Sequence, residues 1–417
     1  MAKTKPYREH RPFYDILAMF KRTRRNDLGP TSRRGAGPES LRAHNERLIL
    51  GMLHSAGALS AADLARRSGL SAQAVSVILR ALSAERLILR GNPTRGRVGQ
   101  PSVPISINPD GNYVLGSKIG RRSADLVLLG LDGKTRAHKR LPYAWPDPVV
   151  VLRWLEDTTV AFRATVPTVA GLGIALPSRL WDWAEEVPEG QIAMQAWRDI
   201  DLVATFGATG LPVMVVNDGA AACAAEMTFG TLPHGDEVLY VFVGTFIGGG
   251  LASRGSLVLG ASGNAGSFGS VLVQGSDGVV QQLIDVASLI GLERALRAKG
   301  QTAEVLRLEP TQATLSNPLV DRWITQAAHG IAQAMISAVA TTDSRLVIVD
   351  GAMPAEILDV LVARVAAFMP RYPLAGIDVP TIQRGTIGPL ARAIGAASVV
   401  LNERFLAWPA DIKGQAA

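Results

Sequence analysis

Residues 60–90 constrain the fold more than any other stretch, because they spell two short helices around a fixed turn. Ser60 stands where a helix N-cap is wanted. Asp63 follows three residues on, a capping-box spacing with Asp in place of the usual Glu. Gly69 lies where a left-handed helix stop belongs, and Ser71 caps a second helix. In that helix Val75, Ile78, Leu79 and Leu82 recur at i, i+3, i+4 and i+7, which makes one buried face. Gln73, Ser76, Val77 and Arg80 fall on the opposite face, with Ser71 at its start. A capped helix, a Gly turn and a second helix with a small polar outer face is the arrangement that sets a recognition helix into the major groove of DNA. A helical hairpin buried in a larger domain has the same pattern, so charge is needed to separate the two.

The chain of 417 residues carries a net charge of +7, unevenly placed. Residues 1–107 hold 19 Lys and Arg against 7 Asp and Glu, while residues 108–417 hold 24 against 29. Basic charge therefore accompanies the helix-turn-helix, as attraction to DNA phosphates requires. Apolar content of 47% is ample for a large core, and charged content of 19% argues against wholesale disorder. No apolar run approaches the roughly 18 residues of a membrane span, and Asp15, Lys21 and Arg22 interrupt the only candidate secretory core. The expectation is a cytoplasmic protein with no membrane partner. Cys223 is the single cysteine, which excludes an internal disulfide and a Cys-rich zinc site. The six histidines show no ligand spacing, so neither a metal nor a cofactor is expected.

The flanks complete a winged helix. Residues 1–38 read as a basic arm containing Lys21, Arg22, Arg24, Arg25, Arg33 and Arg34; backbone contact to DNA and a merely solvated tail both fit it. Residues 40–54 read as a first helix. Residues 86–90 read as a strand, residues 91–101 as a Gly/Pro/Arg loop, and residues 103–107 as a returning strand. Arg95 and Arg97 at the tip of this wing are placed for phosphate or minor-groove contact. Asn108-Pro-Asp-Gly marks a boundary, which divides the chain into an arm (1–38), a winged helix-turn-helix (39–108) and a larger unit (109–417).

The larger unit opens with three strands over residues 113–141. A helix (148–165), a strand (169–175), a strand (213–216) and a small-residue helix (220–229) follow. A second series begins at residue 238, with a strand into Gly244-Thr-Phe-Ile-Gly-Gly-Gly250 and a hairpin turning at Arg254-Gly255. It goes on through helices over 279–297 and 318–341, a strand at 346–349 and helices at 354–368 and 389–403. Three strands and then helix–strand alternation, given twice, predict a duplicated α/β domain.

Four motifs in register sharpen this reading: Asn217-Asp218-Gly-Ala, Gly244-Thr-Phe-Ile-Gly-Gly-Gly250, Arg254-Gly255 and Gly260-Ala-Ser-Gly-Asn-Ala-Gly266. In order and spacing they resemble the signatures of the ROK family of bacterial repressors and sugar kinases, from residue 40 to the C-terminus. The resemblance implies an actin-like ATPase (ribonuclease H-like) fold, with a winged helix-turn-helix in front, as in the family's regulators. It also implies a ligand cleft at Asn217, Asp218, Asn264, Ser267 and Ser270, with a remnant phosphate loop at Gly244, Thr245, Gly248 and Gly249.

In the family's kinases the residue matching Asp218 is the general base toward a sugar hydroxyl. A carboxylate beside an amide also clamps sugar hydroxyls without catalysis, and Asp218 capping the following helix is a third role. The chain departs from the kinase pattern at three places. Lys118 stands where the first phosphate loop needs a carboxylate for magnesium. Ser267 and Ser270 replace the sugar-contacting Glu and His, and the zinc loop that should follow lacks its cysteines. Asp350-Gly351 replaces the Gly-Gly of the adenine site. The expectation is a non-enzymatic, dimeric regulator (or a dimer of dimers) of a double-stranded DNA operator, a repressor controlled by a small molecule such as a sugar. A sugar kinase with a DNA-binding appendage and a regulator without a ligand are the alternatives.

Overall fold

The computed structural model describes residues 38–93, 103–182, 190–231, 237–275, 278–302 and 315–406. Helix α1 (Pro38–Ala56), α2 (Ala61–Ser68) and α3 (Ala72–Ala84) lead into strands β1 (Ile88–Arg90) and β2 (Ile105–Ile107). The caps fall where the side chains require them. The Ser60 hydroxyl accepts from the Asp63 amide at 3.0 Å and donates to the Asp63 carboxylate at 2.7 Å. Gly69 ends α2 in the left-handed region at φ 71°, and the Ser71 hydroxyl accepts from the Ala74 amide at 3.2 Å. Strands β1 and β2 pair antiparallel with Ile88 opposite Ile107, and Leu59 adds a third, single-residue rung against Ile105. Arg95 and Arg97 lie outside the described residues.

The larger unit holds two sheets of the same design. Strands β3 (Tyr113–Ile119), β4 (Ser123–Gly130) and β5 (Thr135–Pro142) form an antiparallel meander. Helix α4 (Pro148–Arg163), capped by Asp147, leads to β6 (Val169–Leu176), which joins β3 in parallel. Two short helices, α5 (Gln191–Gln195) and α6 (Leu202–Gly207), precede β7 (Val213–Asn217), so the order is β5-β4-β3-β6-β7. Helix α7 (Asp218–Phe229) crosses to the second lobe, where β8 (Val238–Val243), β9 (Ile247–Ser253) and β10 (Ser256–Val258) repeat the meander.

There β11 (Leu272–Gln274), β12 (Val280–Gln282), α8 (Leu283–Ala287), α9 (Leu289–Ala298) and α10 (Pro318–Thr342) build the outer layer. Then β13 (Leu346–Gly351), α11 (Ala355–Phe368) and β14 (Thr381–Arg384) complete a sheet ordered β10-β9-β8-β13-β14. Helix α12 (Ala391–Arg404) crosses back onto β3 and β6. The duplication expected from sequence is thus explicit in strand order.

Two expectations about elements need correction. The helix read over residues 279–297 is three elements: residues 280–282 pair as a strand with 272–274, and Ser288 separates α8 from α9. Its hydroxyl returns to the Ile284 carbonyl and also takes the Ile247 amide, which ends the first helix. Helices α5 and α6 and strand β14 were not foreseen; each is six residues or fewer, too short for a periodic signal.

One apolar core lies in each lobe, around Leu115, Leu126 and Phe206 in the first and around Leu239, Ile331 and Leu361 in the second. A third joins the winged helix to the first lobe. In it Leu48, Ile49, Leu53, Leu64 and Leu79 pack continuously with Val127, Leu129, Ala397, Val400 and Leu401.

Candidate functional site

On α3 the apolar positions Val75, Ile78, Leu79 and Leu82 are buried, and Gln73, Ser76 and Arg80 are exposed. Val77 is 45% exposed, a large apolar side chain left in water in the middle of a polar face. Such a group fits contact with a thymine methyl. Ser71 is exposed while its oxygen serves as the cap, so its proton remains available to an acceptor. These five residues therefore share one outward face, at the start and along the length of one helix.

The residues expected to bind a ligand divide into a joined group and a separate pair. Asn217, the last residue of β7, caps α7 with its side-chain oxygen, which accepts from the amides of Gly219 and Ala220. The cap is thus Asn217, not Asp218. The Asn217 amide nitrogen donates to the Ser178 hydroxyl at 2.9 Å and to the Asn264 oxygen at 3.3 Å. Ser178 donates in turn to Asn264 at 2.8 Å. Ser178 follows β6 and Asn264 lies in the loop after β10, so this polar trio bridges the lobes.

Asp218, the first residue of α7, accepts from the Arg392 guanidinium at 3.2 Å, and both side chains are largely buried. Ser267 and Ser270 are exposed at either end of the turn that buries Phe268. Among the described residues no side-chain hydrogen bond joins them to Asn217, Asp218 or Asn264. Sequence reasoning missed Ser178 and Arg392, which belong to none of the four motifs.

Around Lys118, where the resemblance predicts the first phosphate loop, the chain's own ions pair with one another. Lys118 is buried and donates to the Ser123 carbonyl and hydroxyl, both at 3.0 Å, and it pairs with Asp125 at 3.4 Å. Burial and the nearby Arg392 charge pull its pKa down to about 7. Asp125 also takes His138 at 2.9 Å and Arg140 at 2.8 Å. Burial alone would raise the Asp125 pKa, but Lys118, His138 and Arg140 together hold it below the usual carboxylate range.

From the same loop the Arg121 guanidinium lies 4.0 Å from the centre of the Phe246 ring, and Arg122 pairs with Glu293 at 3.5 Å. Both contacts cross from the first lobe to the second. The carbonyls of Gly244 and Thr245 accept from the amides of Leu289 and Ile290 at the start of α9.

Gly248, Gly249 and Gly250 lie in β9 rather than in a turn, whereas Gly244 lies in the bend between β8 and β9, and their roles differ. A Cβ on Gly249 would stand 2.3 Å from the Tyr240 carbonyl, and one on Gly250 would stand 2.5 Å from Cys223. These two admit close packing of β9 on its neighbours. Gly248 has open space around it. Asp350 is fully buried; it accepts from the Tyr240 hydroxyl at 2.8 Å and from the amides of Gly351 and Gly388. Among the described residues no cluster of His, Cys, Asp and Glu is arranged to hold a metal, and no helix is long and apolar enough to cross a membrane.

Two similar lobes hinged by crossing helices, behind a winged helix, define a DNA-binding regulator built on a sugar-kinase-like domain. The chain belongs to the ROK family, whose profile matches residues 114–403, and the MarR family profile matches residues 44–97. It is similar to the xylose repressor of Bacillus subtilis, 25% identical over 237 residues, which are 55% of this chain and 60% of that protein. The fold matches that of a ROK family transcriptional regulator described as a homolog of the E. coli MLC protein. That match has a TM-score of 0.62 at 19% identity and covers 90% of this chain and 98% of the other. A ROK hexokinase from Thermus thermophilus matches 70% of this chain and 98% of its own, with a TM-score of 0.51 at 25% identity.

Proposed function

We propose that this regulator represses transcription as a homodimer and that a small polyhydroxylated molecule, a sugar or sugar derivative, sets its affinity for the operator. Base readout falls to Ser71, Gln73, Ser76, Val77 and Arg80, with Arg95 and Arg97 of the wing on the backbone or in the minor groove. The effector lies in the cleft against Asn217, Asp218 and Asn264, with Ser178 as a further hydroxyl partner and Ser267 and Ser270 at the rim. The divisions at residues 38 and 108 separate the arm, the reader and the sensor. The repressor named among its relatives supports both the direction of control and a sugar as the signal. A two-fold protein reads a two-fold operator, and two readers give the affinity that one lacks.

The observation that carries the non-enzymatic reading is the Asp218–Arg392 pair. A general base must be free to reach the substrate hydroxyl, and the Asp218 carboxylate already accepts from the Arg392 guanidinium. Lys118, buried against Asp125, stands where the resemblance calls for the carboxylate of the first phosphate loop, which further supports the reading. Thermal-shift measurements over pentoses, hexoses, amino sugars and sugar phosphates, paired with an ATP-consumption assay on the same panel, test this. A ligand at a hundred times its Kd should raise stability by about 2.7 kcal/mol. ATP turnover abolished by Asp218→Asn would replace this reading with a sugar kinase.

A further inference from the structure

We infer that α7 and α12 form a relay from the cleft to the DNA-reading unit, and that the Asp218–Arg392 ion pair sets its position. The inference rests on the effector-cleft reading above and names how that site is coupled to DNA.

Both helices cross between the lobes. Helix α7 leads from β7 in the first sheet to β8 in the second, and α12 follows β14 of the second and lies on β3 and β6 of the first. Their N-terminal ends meet at the cleft floor, where Asp218 is the first residue of α7 and Arg392 the second of α12. The Arg392 guanidinium also lies 4.7 Å from the ring centre of Phe242 on β8. One ion pair therefore ties both crossing helices and the second lobe at a single point.

The shafts of the helices are stiffly packed. A Cβ on Gly395 would stand 1.7 Å from the Ala221 carbonyl, so α7 and α12 meet backbone to backbone. On the other side, Cβ atoms on Gly116 and Gly173 would stand 2.1 and 1.9 Å from the carbonyls of Ala393 and Ala396. At these three glycines backbone meets backbone, with no side chain in between to absorb a displacement.

The C-terminal ends reach the reader. Asn402 donates to Thr228 at 2.8 Å, which joins the two helices. Phe229, at the end of α7, packs on His54 near the end of α1, with ring centres 5.6 Å apart. Arg47 of α1 donates to the Glu403 carbonyl at 2.8 Å, and Val400 and Leu401 share a core with Leu48 and Leu53. A ligand hydroxyl that donates to Asp218 competes with Arg392. Only such differential contact can shift a two-state equilibrium. Release of the pair then repositions both helices, and the reader with them.

The test uses the full chain and a DNA duplex that the wild-type protein selects from a random pool, with no effector present. Arg392→Met is expected to weaken binding at least about fivefold, the low end of ordinary allosteric coupling. It is also expected to accelerate amide exchange in residues 44–56, and Arg392→Lys is expected to restore part of both. In an Arg47→Ala background the effect of Arg392→Met should shrink, because one of the relay's contacts to α1 is already cut.

Binding by Arg392→Met within about twofold of wild type, or equal losses in both backgrounds, overturns the relay. Should Arg392→Met fail to fold, Asp218→Asn removes the same pair at constant volume and decides the question by the same readouts. A wild-type chain that selects no duplex would instead defeat the DNA-binding reading itself.

Discussion

Lys118 is a buried cation where the resemblance to the family's kinases calls for a carboxylate. Its ammonium is buried among Ser123 and Asp125, and burial first, then Arg392, brings its pKa to about 7. In the unfolded chain a lysine titrates near 10.4. The folded state therefore binds this proton less tightly than the unfolded one, and stability gains from this group as pH rises from about 7 toward 10. Lys118→Met should accordingly be most favourable relative to wild type at pH 6. That advantage should shrink by as much as about 1.4 kcal/mol per pH unit above 7, measured by urea unfolding at each pH. A pH-independent difference would mean that Lys118 stays charged throughout. On the reading surface, Arg80→Ala should cost about 1–3 kcal/mol on the selected operator and far less on random DNA, as judged by competition gel shifts. Equal losses on both would reassign Arg80 to backbone contact.

Among the elements, α3 and α12 show what local sequence does and does not encode. The start of α3 was readable because a Ser N-cap and an i, i+3, i+4, i+7 apolar row are local patterns, and the Ser71 cap lies where that pattern requires. Ser71→Ala should cost about 1 kcal/mol of stability, seen as a lower unfolding midpoint with an unchanged urea slope. The register of α12 was readable as a helix, but its partners were not. Arg392 meets Asp218 across 174 residues of chain, and no periodicity links two positions so far apart. Ser178 escaped for the same reason, since its partners lie 39 and 86 residues away. The glycine-rich motif at residues 244–250 is legible in the sequence, but the reason for two of its glycines is not: Gly249 and Gly250 are demanded by packing on Tyr240 and Cys223. Gly395 makes the same point in a helix. By propensity alone Gly395→Ala would gain about 1 kcal/mol. The 1.7 Å approach to the Ala221 carbonyl outweighs that gain, because a backbone oxygen cannot rotate aside. A net loss of about 2–3 kcal/mol in thermal unfolding is expected.

At the scale of the whole molecule, the distribution of charge predicts how DNA binding responds to salt. The sensor lobes are mildly acidic, so attraction to phosphates must come from the first 107 residues, with their 19 basic against 7 acidic side chains. Of these, residues 1–38 carry ten Lys and Arg against three Asp and Glu. The exposed face of α3 contributes Arg80 alone, with Arg66, Arg67 and Arg90 exposed on neighbouring elements. Each phosphate neutralised adds about −0.9 to the slope of log affinity against log salt. A chain lacking residues 1–38 should therefore show a slope shallower by at least about 2 per bound protomer. Its preference for the selected operator over random DNA should be almost unchanged, because contacts to phosphates position a reader without carrying sequence information. Fluorescence anisotropy between 50 and 300 mM salt measures both quantities. An unchanged slope would confine the electrostatic footprint to the winged helix. A lost preference would mean that the arm itself reads bases, as minor-groove arms do.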